Sequence, residues 1–190
     1  IGTGVELDNA GGTDLLGNTI GLDKAGAAAV PNTTGVLIGD GASGSSIGGN
    51  TAGSGNVISG NSASGVTIDG TTNAFSQHSS GNVVEGNDIG TDKTGKIAQP
   101  NNGAGITVTT LAATPFTFPP DLTGIVGNKI GDPSDATKGN VISGNAGRGV
   151  DIFAQRTTLN VVANNMIGVD VTGDAALPNG DHNVSISGNA

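Results

Sequence analysis

Aspartates recur just after a repeated Ile-Gly pair, and their spacing suggests a metal site. Asp92, Asp132 and Asp170 follow such pairs in successive units of the chain. If these units stack at a strand spacing of about 4.8 Å, the carboxylates repel each other unless a cation lies between them. Carboxylate and carbonyl oxygens are the ligands that Ca²⁺ prefers, so a Ca²⁺ site at this corner is one hypothesis. The alternative interpretation is that each aspartate accepts hydrogen bonds from its own turn.

Aromatic residues converge on a second region, where two insertions interrupt the repeat. Residues 71–80 and 110–120 leave the same corner of neighbouring units, and this corner recurs near residue 153. Because loops on a rigid scaffold commonly carry binding sites, this flank is the predicted ligand site. Its residues are Phe75, His78, Phe116, Phe118, Phe153 and Arg156. The alternative is that the phenylalanines pack beneath their own loops as a satellite core.

Acid–base catalysis finds little support in the pattern. The predicted outward column of the first strand contains two carboxylates, Glu6 and Asp151, four units apart. At the strand spacing they lie on the order of 19 Å from each other. This distance is too long for the carboxylate pair of a glycosidase.

A short motif of the form Gly-Val-x-Ile positions all of these residues. It recurs six times, at intervals of 30 to 44 residues, starting at Gly4, Gly35, Gly65, Gly105, Gly149 and Asn183. Repetition with this period is typical of a solenoid. The alternation within the motif predicts a strand with one buried face. The apolar residues should therefore form two inward columns, one starting at Val5 and the other at Leu7.

Asparagine recurs at two predicted bends, where stacked amides can hydrogen-bond to one another. The first predicted ladder contains Asn18, Ser46, Asn87, Asn128 and Asn165. The second contains Asn32, Asn61, Asn101, Asn145 and Asn179. Units one, three and five close with a long Gly-x-Asp-x-x-Gly turn, whereas units two and four close with Gly-Asn-Val-Ile-Ser-Gly-Asn. The true repeat is therefore expected to be a pair of coils.

Composition narrows the class of protein. The 190 residues include 35 Gly and four Phe but no Cys, Trp or Tyr, which suits a thin aliphatic core between stacked coils. Sixteen acidic and seven basic residues give a net charge of −9. Such a chain repels phosphate backbones, so we expect no nucleic-acid partner. No apolar run is long enough to predict membrane insertion.

The Asn-x-Ile-Gly and Gly-Asn-Val-Ile-Ser-Gly-Asn elements resemble the repeats of right-handed parallel β-helix proteins, a pectate-lyase-like fold found in large bacterial surface and secreted proteins. The resemblance covers the whole chain. It implies an all-β, right-handed parallel β-helix (solenoid) of five coils plus the start of a sixth. We expect one domain over residues 1–190, as a segment of a longer repeat protein.

The same resemblance leaves two functions open, because this fold carries enzymes as well as adhesins. The first is a non-enzymatic extracellular or cell-surface segment, acting as a stalk, adhesin or self-associating matrix element whose copies meet end to end. The lack of a carboxylate cluster favours it. The second is a carbohydrate-binding β-helix, or a polysaccharide lyase or glycoside hydrolase, with its site at the loop flank and polysaccharide as partner.

Overall fold

Three all-parallel sheets make up the described part of the chain. The computed structural model describes residues 2–70, 78–109, 125–153 and 157–188. Sheet 1 contains β1 (Val5–Asp8), β4 (Val36–Gly39), β7 (Val66–Asp69), β10 (Ile106–Thr109), β13 (Val150–Phe153) and β16 (Val184–Ser187). Sheet 2 contains β2 (Asp14–Leu15), β5 (Ser46–Gly48), β8 (Val83–Glu85), β11 (Lys129–Ile130) and β14 (Val161–Val162). Sheet 3 contains β3 (Thr19–Ile20), β6 (Val57–Ile58), β9 (Asp88–Ile89), β12 (Val141–Ile142) and β15 (Met166–Ile167).

The chain visits the sheets in the same order each time, and each strand pairs with its counterparts before and after it. This is the architecture of a parallel β-solenoid, and it confirms the all-β, parallel prediction. We call a segment with one strand of each sheet a repeat, so that β1, β2 and β3 lie in the first repeat and β13, β14 and β15 in the fifth. The one helical element in the described ranges is the 3-10 turn Ala136–Lys138. No helix in that part of the chain is long and apolar enough to cross a membrane.

The core is a stack of aliphatic side chains, as the alternation in Gly-Val-x-Ile predicts. In sheet 1 the register aligns Val5 with Val36, and Leu7 with Ile38, and the same alignment continues to β16. The inward-pointing valine and isoleucine side chains of β4, β7 and β10 are completely inaccessible to solvent. Isoleucine and valine from sheets 2 and 3 close the core from the other sides.

Asparagine ladders hold the corners between the sheets. Three ladders are present, with amide-to-amide hydrogen bonds of 2.8 to 3.2 Å. The first runs through Asn18, Asn56, Asn87, Asn140 and Asn165. The second runs through Ser45, Asn82, Asn128 and Asn160. The third, which confirms one prediction and extends it by a residue, runs through Asn32, Asn61, Asn101, Asn145, Asn179 and Asn183.

The other predicted ladder is wrong at two positions. Asn128 belongs to the second ladder, and Ser46 lies within strand β5, beside the ladder residue Ser45. The reason is that Asn-x-Ile-Gly lies in sheet 3 in the odd repeats, whereas the fourth repeat uses it in sheet 2. The local motif is the same in both sheets, so it does not reveal which corner it occupies.

Extra residues alternate between two corners. In the first, third and fifth repeats they follow sheet 3 and form long turns, residues 22–29, 91–98 and 169–176, each closed by an antiparallel bridge between its ends. In the second and fourth repeats they lie between sheets 2 and 3 instead, at residues 49–56 and 131–140. We call these two the short-turn repeats, because their chain turns tightly after sheet 3. The predicted pairing of coils is thereby confirmed.

Candidate functional site

A groove of about 510 Å³ lies along the outer face of sheet 1. Its floor is the outward column that the sequence predicts, with Leu37, Thr67, Thr107 and Asp151 in register on adjacent strands. Alternation along each strand turns these side chains away from the core. The residues Thr67, Thr107 and Asp151 are nevertheless only 7, 8 and 7 % exposed. The wall beyond Asp151 is formed by Arg148, Phe153 and Asp181.

One guanidinium organises the charges of this groove. Nη1 of Arg148 donates to both carboxylate oxygens of Asp151, at 2.9 and 2.8 Å, and its Nε donates to Asp181 at 3.1 Å. Partial desolvation of Asp181 opposes ionisation, but the hydrogen bond from Arg148 and the charges of His182 and Arg148 together lower the pKa of this carboxyl. Both carboxylates are thus ion-paired with a single cation, an arrangement suited to holding shape rather than to transferring protons.

The register confirms that Glu6 and Asp151 are far apart, because three strands separate β1 from β13 in sheet 1. A different carboxylate pair, which sequence reasoning missed, lies at the corner after sheet 1. Partial desolvation, together with the charge of Asp8, a hydrogen bond to it and the charge of Asp69, raises the pKa of Asp40. Asp8 and Asp40 are in hydrogen-bond contact, which is closer than the spacing of about 5 Å or more that glycosidase carboxyl pairs require.

The predicted ligand flank falls largely outside the described residues. Phe75, Phe116, Phe118 and Arg156 lie in the undescribed segments. Phe153 ends β13, is 42 % exposed and lines the groove of sheet 1.

The other described member of that flank is His78, whose Nδ1 lies 2.7 Å from the carbonyl oxygen of Gly70, a geometry in which the ring nitrogen donates. Of the two described members, only Phe153 lines the groove.

The three predicted calcium ligands do not share a corner. Asp92 and Asp170 follow β9 and β15 of sheet 3, whereas Asp132 follows β11 of sheet 2. Within the described ranges, no group of three or more His, Asp or Glu side chains is placed to hold a metal ion.

Each of these aspartates instead accepts hydrogen bonds within its own turn. The hydroxyl of Thr172 donates to Asp170 at 2.7 Å, and this bond lowers the pKa of the carboxyl. Hydrogen bonds from the hydroxyl and the N–H of Ser134, helped by Lys138 at 3.2 Å, lower the pKa of Asp132 to about 2. Hydrogen bonds within the long turn likewise lower the pKa of Asp92, against partial desolvation. This is the turn-capping arrangement that the sequence offers as the alternative to calcium binding.

A second groove, also of about 510 Å³, lies over sheet 3 and was missed by sequence reasoning. Asp88 points outward there, in register with Val57 and Val141 on the strands beside it, and Lys93 lines the same groove. Burial of the carboxyl, reinforced by the negative charge of Asp92, raises the pKa of Asp88 to about 6. The sequence signal was a lone aspartate at a position that the second and fourth repeats fill with valine and the first and fifth with Thr19 and Met166.

The raised pKa of Asp88 predicts that the protein loses stability as the pH rises. The folded-state pKa exceeds the ordinary value of 3.8, so the native state binds more protons than the unfolded state between pH 4 and 6, and stability falls as the pH rises through this window. Asp88→Asn should raise the free energy of unfolding by about 1–2 kcal/mol at pH 7.5 and by nearly nothing at pH 4. Urea titrations at both pH values measure the difference.

The exposed carboxylate Asp14, also outward on its strand, provides the control for this substitution. Asp14→Asn should change the stability by less than about 0.5 kcal/mol at either pH. An equal effect of Asp88→Asn at pH 4 and pH 7.5 would contradict the assignment.

Comparison of the chain with protein-family models, with curated proteins and with solved structures finds no match in any of the three. The arrangement of strands, ladders and grooves is therefore the basis for every functional statement that follows.

Proposed function

We propose that this chain is a segment of a right-handed parallel β-helix, with five complete coils and the first strand of a sixth, and that its function is structural. In this proposal it acts at the cell surface or outside the cell as a stiff stalk, adhesin or matrix element. The observation that carries the proposal is the continuity of the asparagine ladders through the repeats. The right-handed sense rests on the strong general preference of parallel crossovers.

Continuous ladders suit a load-bearing element. Each repeat is joined to the next by three sheets and by buried amides such as Asn87 and Asn145, whose side chains bond to both neighbouring repeats. Separating a repeat breaks these hydrogen bonds, each worth about 1 kcal/mol net, and also exposes the aliphatic core between the two repeats to water. The six strands of sheet 1 span roughly 25 Å at the usual spacing, so the segment is a short rigid rod.

The charges also favour a structural function over catalysis. In the groove of sheet 1, Arg148 forms ion pairs with both Asp151 and Asp181, and it lowers the pKa of Asp181, which opposes a role for that carboxyl as general acid. At the corner of the sheet, Asp8 and Asp40 are too close together for a glycosidase pair. The lack of cysteine and the acidic composition are compatible with an extracellular location.

Carbohydrate binding is the second candidate, and one observation favours it. Phe153 is half-exposed and, together with Arg148, lines a groove that crosses several strands of sheet 1. An aromatic ring offers an apolar face against which a sugar ring can pack. The ligand class would be a polysaccharide.

A polysaccharide panel separates the two functions. The chain is incubated with neutral and with uronic polysaccharides, with calcium or with chelator, and both the Tm and cleavage of the polysaccharide are measured. The structural proposal predicts no cleavage and no Tm shift above about 1 °C with any of them. A Tm shift that Phe153→Ala abolishes would establish the second candidate instead, and cleavage would make the protein an enzyme.

The control for Phe153→Ala is Ile97→Ala, which truncates another exposed apolar side chain, on a long turn away from the groove. If both substitutions reduced the polysaccharide-dependent Tm shift equally, the polysaccharide would not bind in the groove.

A further inference from the structure

The C-terminal end of the solenoid exposes side chains whose counterparts in the middle repeats are buried. Ile186 of β16 continues a column whose central members are completely buried, yet it is 62 % exposed, and Val184 is 40 % exposed. Leu159 is 78 % exposed, and it lines a cavity of about 360 Å³ together with Ile152 and Ile186. We call the surface formed by β14, β15 and β16 the C-terminal face.

Hydrogen-bond polarity adds a second property to this face. In the first ladder, the backbone N–H of each asparagine donates to the side-chain oxygen of the asparagine in the following repeat, as Asn140 does to Asn165 at 2.9 Å. The second ladder runs in the same direction, from Asn128 to Asn160 at 3.0 Å. By this polarity, Asn165 and Asn160 offer N–H groups to an incoming repeat. A partner coil must therefore have, just before its second and its third strand, residues whose side-chain oxygens can accept these two hydrogen bonds.

The long turns restrict which repeat can supply them. Long turns of alternate repeats already meet, because the N–H of Val171 in the fifth repeat donates to the carbonyl of Gly95 in the third at 2.9 Å. A Cβ on Gly95 would lie 2.7 Å from the Cβ of Val171. The turn after sheet 3 in the intervening fourth repeat is tight. No space remains between these long turns for a third one.

The short-turn repeats fit between long turns through a glycine. Gly60 of the second repeat donates its N–H to the carbonyl of Gln99 in the third repeat at 3.0 Å. On its other side, a Cβ on Gly60 would lie 3.0 Å from the Cβ of Ala29 in the first repeat. Gly144 of the fourth repeat is placed in the same way, bonded to Leu177 on one side and close to Ala98 on the other.

We propose that the C-terminal face binds a short-turn coil: a parallel β-coil with Asn or Ser before its second strand, Asn before its third strand, and a glycine two residues after the third strand ends. The inference rests on the proposed structural function and specifies its partner. The fifth repeat carries a long turn, so the position beside it has the shape that Gly60 and Gly144 fill elsewhere. The second repeat is an example of the required chemistry, because Ser45 accepts from the N–H of Thr13 at 3.2 Å and Asn56 accepts from the N–H of Asn18 at 2.9 Å.

Direct end-to-end stacking of two copies does not complete the C-terminal face. If β2 and β3 of a second copy paired with β14 and β15, its β1 would fall on the position that β16 already occupies in sheet 1. If its β1 paired with β16 instead, its second and third strands would lie one strand spacing further along the axis and would leave β14 and β15 unpaired.

Two extended chains test this proposal. In the first, residues 189–190 are replaced by a copy of residues 41–61, which completes a short-turn coil after β16. In the second they are replaced by a copy of residues 10–32, which completes a long-turn coil of similar length. The short-turn extension should raise the Tm by about 5 °C. It should also slow hydrogen exchange at the backbone N–H groups of Asn160 and Asn165, which by the ladder polarity face the incoming coil, at least tenfold. The long-turn extension should do neither.

A third extension carries Asn56→Ala within the copied short-turn segment, and it should lose most of the gain in Tm. Equal or greater protection by the long-turn extension would overturn the proposal, and so would a lack of protection with both. Sedimentation of the unextended chain should show a monomer; oligomers with protected backbone N–H groups at Asn160 and Asn165 would also overturn it. If the proposed structural function were wrong, the polysaccharide panel would show sugar binding or cleavage. The extension experiments contain no polysaccharide, so the two failures can be told apart.

Discussion

Replacing Gly90 by alanine is expected to lower the free energy of unfolding by about 2–5 kcal/mol. Gly90 follows β9 with a φ of +89°, a conformation that costs a residue with a Cβ about 1–2 kcal/mol. The added Cβ would also overlap the carbonyl oxygen of Ser143 and the side-chain oxygen of Asn145 in the next repeat. Overpacking of this kind costs about 1–3 kcal/mol more, because two strands of the stack must move apart.

Chemical denaturation of Gly90→Ala and Gly81→Ala separates strain from overlap. Gly81 also has a positive φ, of +64°, but a Cβ there would meet nothing within 4 Å. Gly81→Ala should therefore cost only the conformational part, about 1–2 kcal/mol. If the two substitutions cost the same, the close approach of the third and fourth repeats at this corner does not exist in solution.

Asn101→Ala is expected to destabilise the protein by about 3–4 kcal/mol, although it removes only a small polar group. The oxygen of the buried Asn101 accepts from the backbone and the side chain of Asn61, at 3.1 and 2.9 Å. Its nitrogen donates to the carbonyl of Ile58 at 3.0 Å and to Asn145 at 2.9 Å. Truncation leaves several of these groups buried without partners, and each costs about 1–3 kcal/mol, reduced by whatever the neighbours recover.

The neighbouring Asn102 provides a control of identical chemistry, because its side chain is exposed. Asn102→Ala should change stability by no more than about 0.5 kcal/mol. Urea denaturation measures both variants. A cost below about 1 kcal/mol for Asn101→Ala would mean that the ladder adds little to the stack, and the structural proposal would lose the observation that carries it.

Much of the fold follows from local pattern. The columns that begin at Val5 and Leu7 were predictable because alternation along a strand decides which side chains point inward. The third ladder, through Asn61 and Asn101, was predictable because Pro-Asn and Gly-Asn mark its corner in almost every repeat. The alternation of long and short turns was also visible, since the two closing sequences differ in length and composition.

The first ladder was not predictable in the same way. Asn-x-Ile-Gly reads alike around Asn87 and Asn128, yet β9 lies in sheet 3 and β11 in sheet 2. Which corner a motif occupies depends on where the preceding extra residues were placed. That property belongs to the whole coil and to the neighbours against which it stacks. The same ambiguity put Asp132 beside Asp92 and Asp170 in the predicted calcium site, whereas the fold separates it from them.

The sequence by itself thus determined that the chain is a stack of parallel strands with aliphatic columns and an asparagine ladder, because these depend on periods of two residues and of one coil. Only the tertiary structure decided the chemistry of the surfaces. Arg148 meets Asp181 across 33 residues, and Asp88 gains its raised pKa from burial between Val57 and Val141 on adjacent strands. Such properties arise from contacts between repeats, and no local pattern contains them.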